Sequence, residues 1–205
     1  MGAAAKFKPS LYIKMENVET PFRNLHQDLI DACKSGDAKA QFQIYKLYYK
    51  AMYNTSLRIV TDSMEAEDIM QEAFLSAFEK INVYTGNVSF GAWLKRIVVN
   101  RSLDALSKRK RIFEDIEMHG EIRDESNDEM ETSEELDAKV EEVKSAIDAL
   151  SDGYRIILSL YLLEGYDHDE IAEIMSITSS TSRSQLSRAK QRLIGELKQK
   201  EKFES

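Results

Sequence analysis

The sequence predicts an all-α chain of two small helical domains joined by an acidic flexible linker, the second domain a helix-turn-helix. Three observations predict it. The only two prolines, Pro9 and Pro21, lie near the N-terminus, so the chain from Phe22 onward is free of the strongest helix breaker. Apolar residues recur at spacings of three and four from Asn24 to Leu197, the period of a helix with one buried face. The charges are segregated in three blocks, which divides 205 residues into two units of a size that can each bury a core.

The net charge of -8 conceals that segregation. Lys95 to Arg111 holds seven basic residues against one acid, Asp104. Ile112 to Asp137 holds twelve acids against Arg123, and Arg183 to Lys202 holds seven basic residues against two acids. Two basic modules thus flank an acidic strap, so the overall sign does not argue against an anionic partner. The boundaries that follow are a flexible N-terminal arm over 1–23, a first domain over 24–111, the linker over 112–137 and a second domain over 138–205.

In chain order, Leu25, Leu29, Ile30 and Cys33 are spaced for one helical face, ended by the SGD turn at Ser35. A long core helix is expected next, with Phe42, Tyr45, Tyr49, Met52, Tyr53, Leu57 and Val60 as its buried stripe. Asp62 with Glu65 three residues on is a capping-box signature, in which the side chain of the first residue takes an otherwise orphaned N–H of the first turn. The helix it opens turns Ile69, Ala73, Phe74, Ala77, Phe78 and Ile81 inward and leaves Asp68, Gln71, Glu72 and Glu79 outward. Such an acidic face is either a solubilising surface or a dock for a basic partner.

Ser89 is a candidate N-cap for the stretch SFGAWLKRIVVNRSLDALSKRKR. On a helix, Trp93, Arg96 and Asn100 fall on one stripe, beside an apolar stripe of Leu94, Ile97, Val98 and Ala105. An aromatic plane, a cation and an amide can stack on a base and bond its edge; the same stripe also fits a half-buried tryptophan beside solvated polar groups. The cluster Lys108 to Arg111, including Arg109, would grip phosphates without reading sequence.

After the strap, whose composition cannot bury enough apolar surface to offset ordering, Val140, Val143, Ile147 and Leu150 mark one helix. Ile156, Ile157, Leu160 and Leu163 mark another, ending at Gly165. Asp167 and Glu170 form a second capping-box pair. Ile171, Ala172 and Met175 give a short helix, and a longer one follows from about Ser179 with Leu186, Ala189, Leu193 and Leu197 inward. Short helix, tight turn, and long helix with Arg183, Arg188 and Lys190 outward is the helix-turn-helix pattern, although the turn lacks the usual glycine.

The exclusions are equally informative. A single cysteine, Cys33, rules out an internal disulfide framework and a cysteine-based zinc site, and fits a reducing cytoplasm. No apolar run approaches a membrane span, so membrane insertion is not expected. His26, His119 and His168 are isolated, and no metal-binding HExxH, phosphate loop, dinucleotide turn or nucleophile triad is present, so neither catalytic residues, metal ligands nor cofactors are expected and the chain does not read as an enzyme.

Three segments carry a family likeness. AEDIMQEAFLSAF resembles the polymerase-docking helix of sigma domain two, FGAWLKRIVVNRSLD its promoter-melting helix, and EGYDHDEIAEIMSITSSTSRSQLSRAKQRL sigma domain four. Over roughly Leu25 to Leu197 the chain therefore resembles the group IV, or extracytoplasmic-function, sigma factors of bacterial RNA polymerase. The resemblance implies a factor that binds core RNA polymerase and directs promoter recognition and melting, with an anti-sigma factor as a further partner. It implies that Asp68, Gln71 and Glu72 dock on the polymerase. Trp93 and Asn100 would hold a non-template base of the minus-ten element, and Arg183, Ser184 and Arg188 would reach the minus-thirty-five element; Arg96 and Arg101 on the first segment and Ser187 on the last are further DNA-binding candidates. Two positions depart from the usual pattern: Ser151 stands where many relatives have proline, and Ser182 where many have valine. The main rival is a helix-turn-helix regulator acting without core polymerase, which explains the second half but leaves Trp93, Asn100 and the acidic helix without a purpose.

Overall fold

A computed structural model of the chain describes the backbone of residues 25–108 and 133–204, with side chains over 25–108, 140 and 142–198. The expected arm over 1–23, Arg109 and most of the acidic strap lie outside the described residues. All regular structure within them is helical. The first unit comprises α1 (Gln27–Lys34), α2 (Ala38–Val60), α3 (Ser63–Glu79) and α4 (Phe90–Lys108).

The starts of α2, α3 and α4 follow from their caps. Asp37 Oδ1 accepts the Lys39 N–H at 2.8 Å and the Ala40 N–H at 3.4 Å; Asp62 Oδ1 accepts the Glu65 N–H at 2.8 Å. Ser89 Oγ accepts the Ala92 N–H at 3.2 Å and so opens α4 where the sequence predicts. Between α2 and α3 the chain reverses through Thr61, whose φ of 62° is left-handed.

The core of the first unit is built from Ile30, Cys33, Ile44, Met52, Met70, Phe74, Phe90, Leu94 and Val98. Two expectations fail here. Leu25 precedes α1 and is 90% exposed. On α2 the expected aromatic stripe lies to one side of the true buried face, leaving Phe42 and Tyr49 exposed while Ile44, Thr55, Ser56 and Ile59 are buried. The reason is close packing of α2 on α4 through small polar residues. Ser56 Oγ and Ser102 Oγ lie 3.0 Å apart, and Ser102 Oγ donates to the Val98 carbonyl at 2.9 Å, so these hydroxyls are hydrogen-bonded and can be buried. At the edge of the core Tyr45 packs on Phe74 with centroids 5.0 Å apart and stacks on the exposed Tyr49 at 5.6 Å, while Lys46 Nζ lies 4.8 Å above the exposed Phe42.

The second unit comprises α5 (Ser133–Asp148), α6 (Asp152–Leu158), α7 (His168–Met175) and α8 (Ser179–Glu204). Helix α5 begins at Ser133, within the stretch read as linker, and it buries Ile147 while leaving Val140 and Val143 exposed. Helix α6 continues as a π-turn over Ser159–Leu163, which ends at Gly165 with φ 77°. The capping box of α7 is complete, with Asp167 accepting the Glu170 N–H at 2.8 Å and Glu170 accepting the Asp167 N–H at 2.9 Å. In the turn between α7 and α8, Ser176 occupies the left-handed position (φ 56°) where glycine is usual.

The two units pack on one another. One buried cluster runs from Ile59, Val60, Ile69, Val99 and Leu106 of the first to Leu150, Ile156, Ile157, Leu160, Ile171 and Leu186 of the second. Arg155 on α6, 3% exposed, crosses this seam: its guanidinium donates to the carbonyls of Arg58 at 3.2 Å and Ile59 at 3.1 Å, in the last turn of α2. It donates also to the Leu150 carbonyl at 3.3 Å and pairs with Asp152 at 2.7 Å. A helix C-terminus carries orphaned carbonyls and partial negative charge, so a cation from the neighbouring unit is a suitable cap.

Candidate nucleic-acid interface

Helix α4 places its candidate base-reading stripe at the surface unevenly. Asn100 is exposed. Trp93 is half-buried, its ring 5.2 Å from Tyr84 and 5.5 Å from Phe90, so part of its face already packs on the first unit's core. Gly91, two residues before Trp93, permits a close approach of α2, since a Cβ there would meet Tyr48 Cε1 at 3.0 Å. Arg96, the cation of the stripe, extends to the second unit and pairs with Glu173 on α7 at 3.4 Å.

The acidic residues expected outward on α3 are outward. Asp68, Gln71 and Glu72 are all exposed, with Gln71 Nε2 donating to Glu67 at 3.3 Å. Glu72 pairs with Arg101 on α4 at 2.7 Å. Asp68, Glu72, Arg101 and Lys108 thus line a single open groove of about 450 Å³ between α3 and α4. The groove joins two residues expected to meet polymerase with two expected to meet DNA. An exposed ion pair such as Glu72–Arg101 is worth only about 0–1 kcal/mol, so either partner can exchange it for a stronger one.

On α8, Arg183, Ser184, Ser187 and Arg188 are exposed along one face, while Ser182, Leu186 and Ala189 are buried behind them. Ser182, the departure from the usual valine, is explained by its surroundings: its Oγ lies 2.9 Å from His168 Nδ1. His168 is stacked 5.0 Å from Tyr161, over which Lys190 Nζ sits at 5.6 Å. A polar clasp across the helix-turn-helix replaces the apolar contact. At the turn, Ser179 Oγ donates to Asp169 and Thr178 Oγ1 accepts the Thr181 N–H at 3.0 Å, opening α8.

Sequence reasoning missed a second polar cluster, between the units. The carboxylate of Glu164, 4% exposed, receives Arg58 Nη1 at 2.7 Å, Lys95 Nζ at 3.0 Å and the Thr55 hydroxyl at 3.1 Å. Beside it Tyr166 is pushed up to about 12, first by burial and then by Glu164 and Glu170, with Arg96 opposing. Its hydroxyl is buried and makes no hydrogen bond among the described residues. No local spacing signals this cluster, because Glu164 and Arg58 stand 106 residues apart.

Comparison with known proteins decides the family. Residues 44–112 match the Sigma-70 region 2 family and residues 140–193 the Sigma-70, region 4 family. The ECF RNA polymerase sigma-E factor of Escherichia coli (strain K12) is 30% identical over 176 residues, covering 80% of this chain and 90% of that protein. The chain belongs to the extracytoplasmic-function sigma factors. The RNA polymerase sigma-H factor of Pseudomonas aeruginosa is 28% identical with the same coverage, and the ECF RNA polymerase sigma factor SigW of Bacillus subtilis 27% identical over 82% of this chain and 95% of its own length. Two solved structures share the fold. CnrH, solved with the cytosolic domain of CnrY, matches with a TM-score of 0.53 at 18% identity, over 84% of this chain and 97% of CnrH. The sigma factor RpoE of Bartonella quintana, solved with the anti-sigma factor NepR, matches with a TM-score of 0.52 at 22% identity, over 76% of this chain and 95% of RpoE. No helix among the described residues is long and apolar enough to cross a membrane.

Proposed function

We propose that this chain binds core RNA polymerase in the cytoplasm and directs it to promoters, recognising two DNA elements and melting the downstream one. The observation that carries this reading is that a single chain presents an acidic face on α3, an aromatic and amide stripe on α4 and an exposed helix-turn-helix face on α8. In this role the chain supplies binding energy and core polymerase supplies the chemistry. A regulator acting without polymerase needs only the last of the three surfaces.

The roles follow from the side chains. Asp68, Gln71 and Glu72 form the polymerase dock, where carboxylates meet a basic surface. Asn100, with donors and an acceptor on one amide, bonds the edge of an extruded base, and the free part of Trp93 stacks on it. Base–aromatic stacking is worth about 1–3 kcal/mol, enough to offset much of one unstacking step. Arg183, Ser184, Ser187 and Arg188 enter the major groove, where an arginine bidentate to guanine discriminates by about 1–3 kcal/mol. An anti-sigma protein is a fitting further partner, as for the RpoE relative solved with NepR.

The reading is tested by size-exclusion chromatography with core polymerase. Wild-type chain should co-elute with it, and the Asp68→Lys, Glu72→Lys double variant should not. Co-elution of the double variant moves the dock elsewhere, and failure of the wild type to co-elute favours the polymerase-independent regulator.

A further inference from the structure

The geometry points to an unassigned phosphate-binding site on the first unit, formed by Arg58, Lys95 and Thr55, which the second unit masks in the arrangement seen here by inserting Glu164. The inference rests on the promoter-binding role proposed above. Glu164 is held as a phosphodiester would be: two cations and a hydroxyl converge on one carboxylate, Arg58 and Thr55 on Oε1 at 2.7 and 3.1 Å and Lys95 on Oε2 at 3.0 Å. The two non-bridging oxygens of a phosphodiester accept the same charge-assisted bonds. The described ion pairs of Arg58 and Lys95 both go to Glu164, so these cations are neutralised by the second unit rather than by acids of their own.

Arg96 repeats the pattern one residue along α4, where its partner is Glu173 of the same second unit. Arg96 belongs to the Trp93 and Asn100 stripe, and Lys95 is its immediate neighbour in sequence.

Promoter dimensions require the cradle to be vacated. Elements centred near positions minus ten and minus thirty-five are separated by about 25 base pairs, or about 85 Å at 3.4 Å per pair. In this structure Glu173, on Arg96, and Asp169, on Ser179, lie about one helical turn apart on α7. Adding the two side-chain bridges and the rise along α8 to Arg188 puts the two readers within roughly 40 Å. The two units therefore separate when both elements are engaged. Separation withdraws Glu164 and Glu173 and exposes Arg58, Lys95 and Arg96 to the DNA backbone. The interface is suited to opening, because the buried Tyr166 hydroxyl makes no hydrogen bond within it.

The test measures affinity of the full chain for fluorescently labelled single-stranded and duplex promoter DNA between 50 and 200 mM salt. Glu164→Gln keeps the size and some of the hydrogen bonding but removes the charge; Glu164→Arg repels both cations. Either should raise the affinity of the free chain. The slope of log affinity against log salt should steepen by about 0.7 per freed cation on single strands and 0.9 on duplex. Which DNA form shows the change identifies whether the cradle takes the melted strand or the flanking duplex. Adding Arg58→Gln and Lys95→Gln should reverse the gain. In the complex with core polymerase, the Arg58→Gln, Lys95→Gln variant should bind promoter with a correspondingly shallower slope. If neither Glu164 variant changes free-chain affinity, masking is overturned; if the slope in the polymerase complex is unchanged, the phosphate site is overturned. Failure of the wild-type complex to bind promoter would instead overturn the functional reading on which the site rests.

Discussion

Replacing Arg155 with methionine should uncouple the two helical units. Methionine retains much of the buried aliphatic volume and removes the guanidinium, leaving the carbonyls of Arg58, Ile59 and Leu150 and the carboxylate of Asp152 without their donor. Breaking a buried ion pair by removing one partner costs about 3–5 kcal/mol. Asp152 is about one-third exposed and recovers hydration, which favours the lower end. Each stranded carbonyl that water does not reach adds about 1 kcal/mol. Asp152 and Leu150 belong to the second unit itself, so the equilibrium between packed and separated units loses the two bonds to Arg58 and Ile59, each worth about 1.5 kcal/mol with a charged donor. The sum, about 3 kcal/mol or roughly 100-fold, is a large fraction of a typical domain stability of 5–15 kcal/mol. The assay is urea unfolding followed by two probes. Trp93 is the only tryptophan and packs within the first unit, so its fluorescence follows that unit, whereas far-UV circular dichroism follows both. The wild-type curves should coincide because one buried cluster spans the units. In Arg155→Met the dichroism should fall at lower urea than the fluorescence. Coincident curves shifted by less than about 1 kcal/mol would refute the role assigned to this residue.

Tyr166→Phe removes a buried hydroxyl that makes no hydrogen bond among the described residues, so stability at neutral pH should be unchanged or rise by about 1 kcal/mol. Because burial raises this phenol from its ordinary value of 10 to about 12, its contribution to stability is complete below pH 10 and is lost as pH climbs toward 12. The wild type should therefore lose stability across that window more steeply than Tyr166→Phe in chemical denaturation, and parallel pH profiles would contradict the burial argument. Ser182→Ala strips the partner from His168 Nδ1 and should cost about 1–2 kcal/mol of second-unit stability. It should also weaken duplex binding through a looser crossing of α7 and α8; full retention of both would show the clasp to be idle.

What the sequence revealed and concealed divides along the range of the interactions. Asp62, Ser89 and the Asp167–Glu170 box act within three residues of themselves, so the helix starts they set were legible, whereas the SGD stretch read as a helix end also supplies, in Asp37, the cap of α2. The outward placement of Asp68, Gln71, Glu72, Asn100 and the α8 face was legible as well, since periodicity of 3.6 fixes which residues share a side. Which side is buried was harder on α2, where Thr55 and Ser56 read as polar but are buried against α4, and Phe42 and Tyr49 read as core but are exposed. The seam was illegible: Arg155 reaches the Arg58 carbonyl across 97 residues, and neither partner stands in a recognisable spacing. That seam alters the candidate site, because it occupies Arg96 with Glu173 and gives Lys95, counted from the sequence only as one charge in a basic run, a specific partner in Glu164. Two cations of the first basic module, Lys95 and Arg96, are thereby paired with acids of the second unit.

The most direct test of the central claim is run-off transcription with core polymerase on a template carrying the cognate promoter, paired with permanganate footprinting of the melted region. The wild-type chain should direct a discrete transcript and reactive thymines near the start site. Asn100→Ala, an exposed substitution with little effect on folding, should retain polymerase binding while slowing opening by about 10-fold, the equivalent of a lost hydrogen bond worth about 1.4 kcal/mol. No discrete transcript from the wild-type chain on any cognate template, or a footprint unchanged by Asn100→Ala, would contradict the account: the first its function, the second its assignment of α4 as the melting surface.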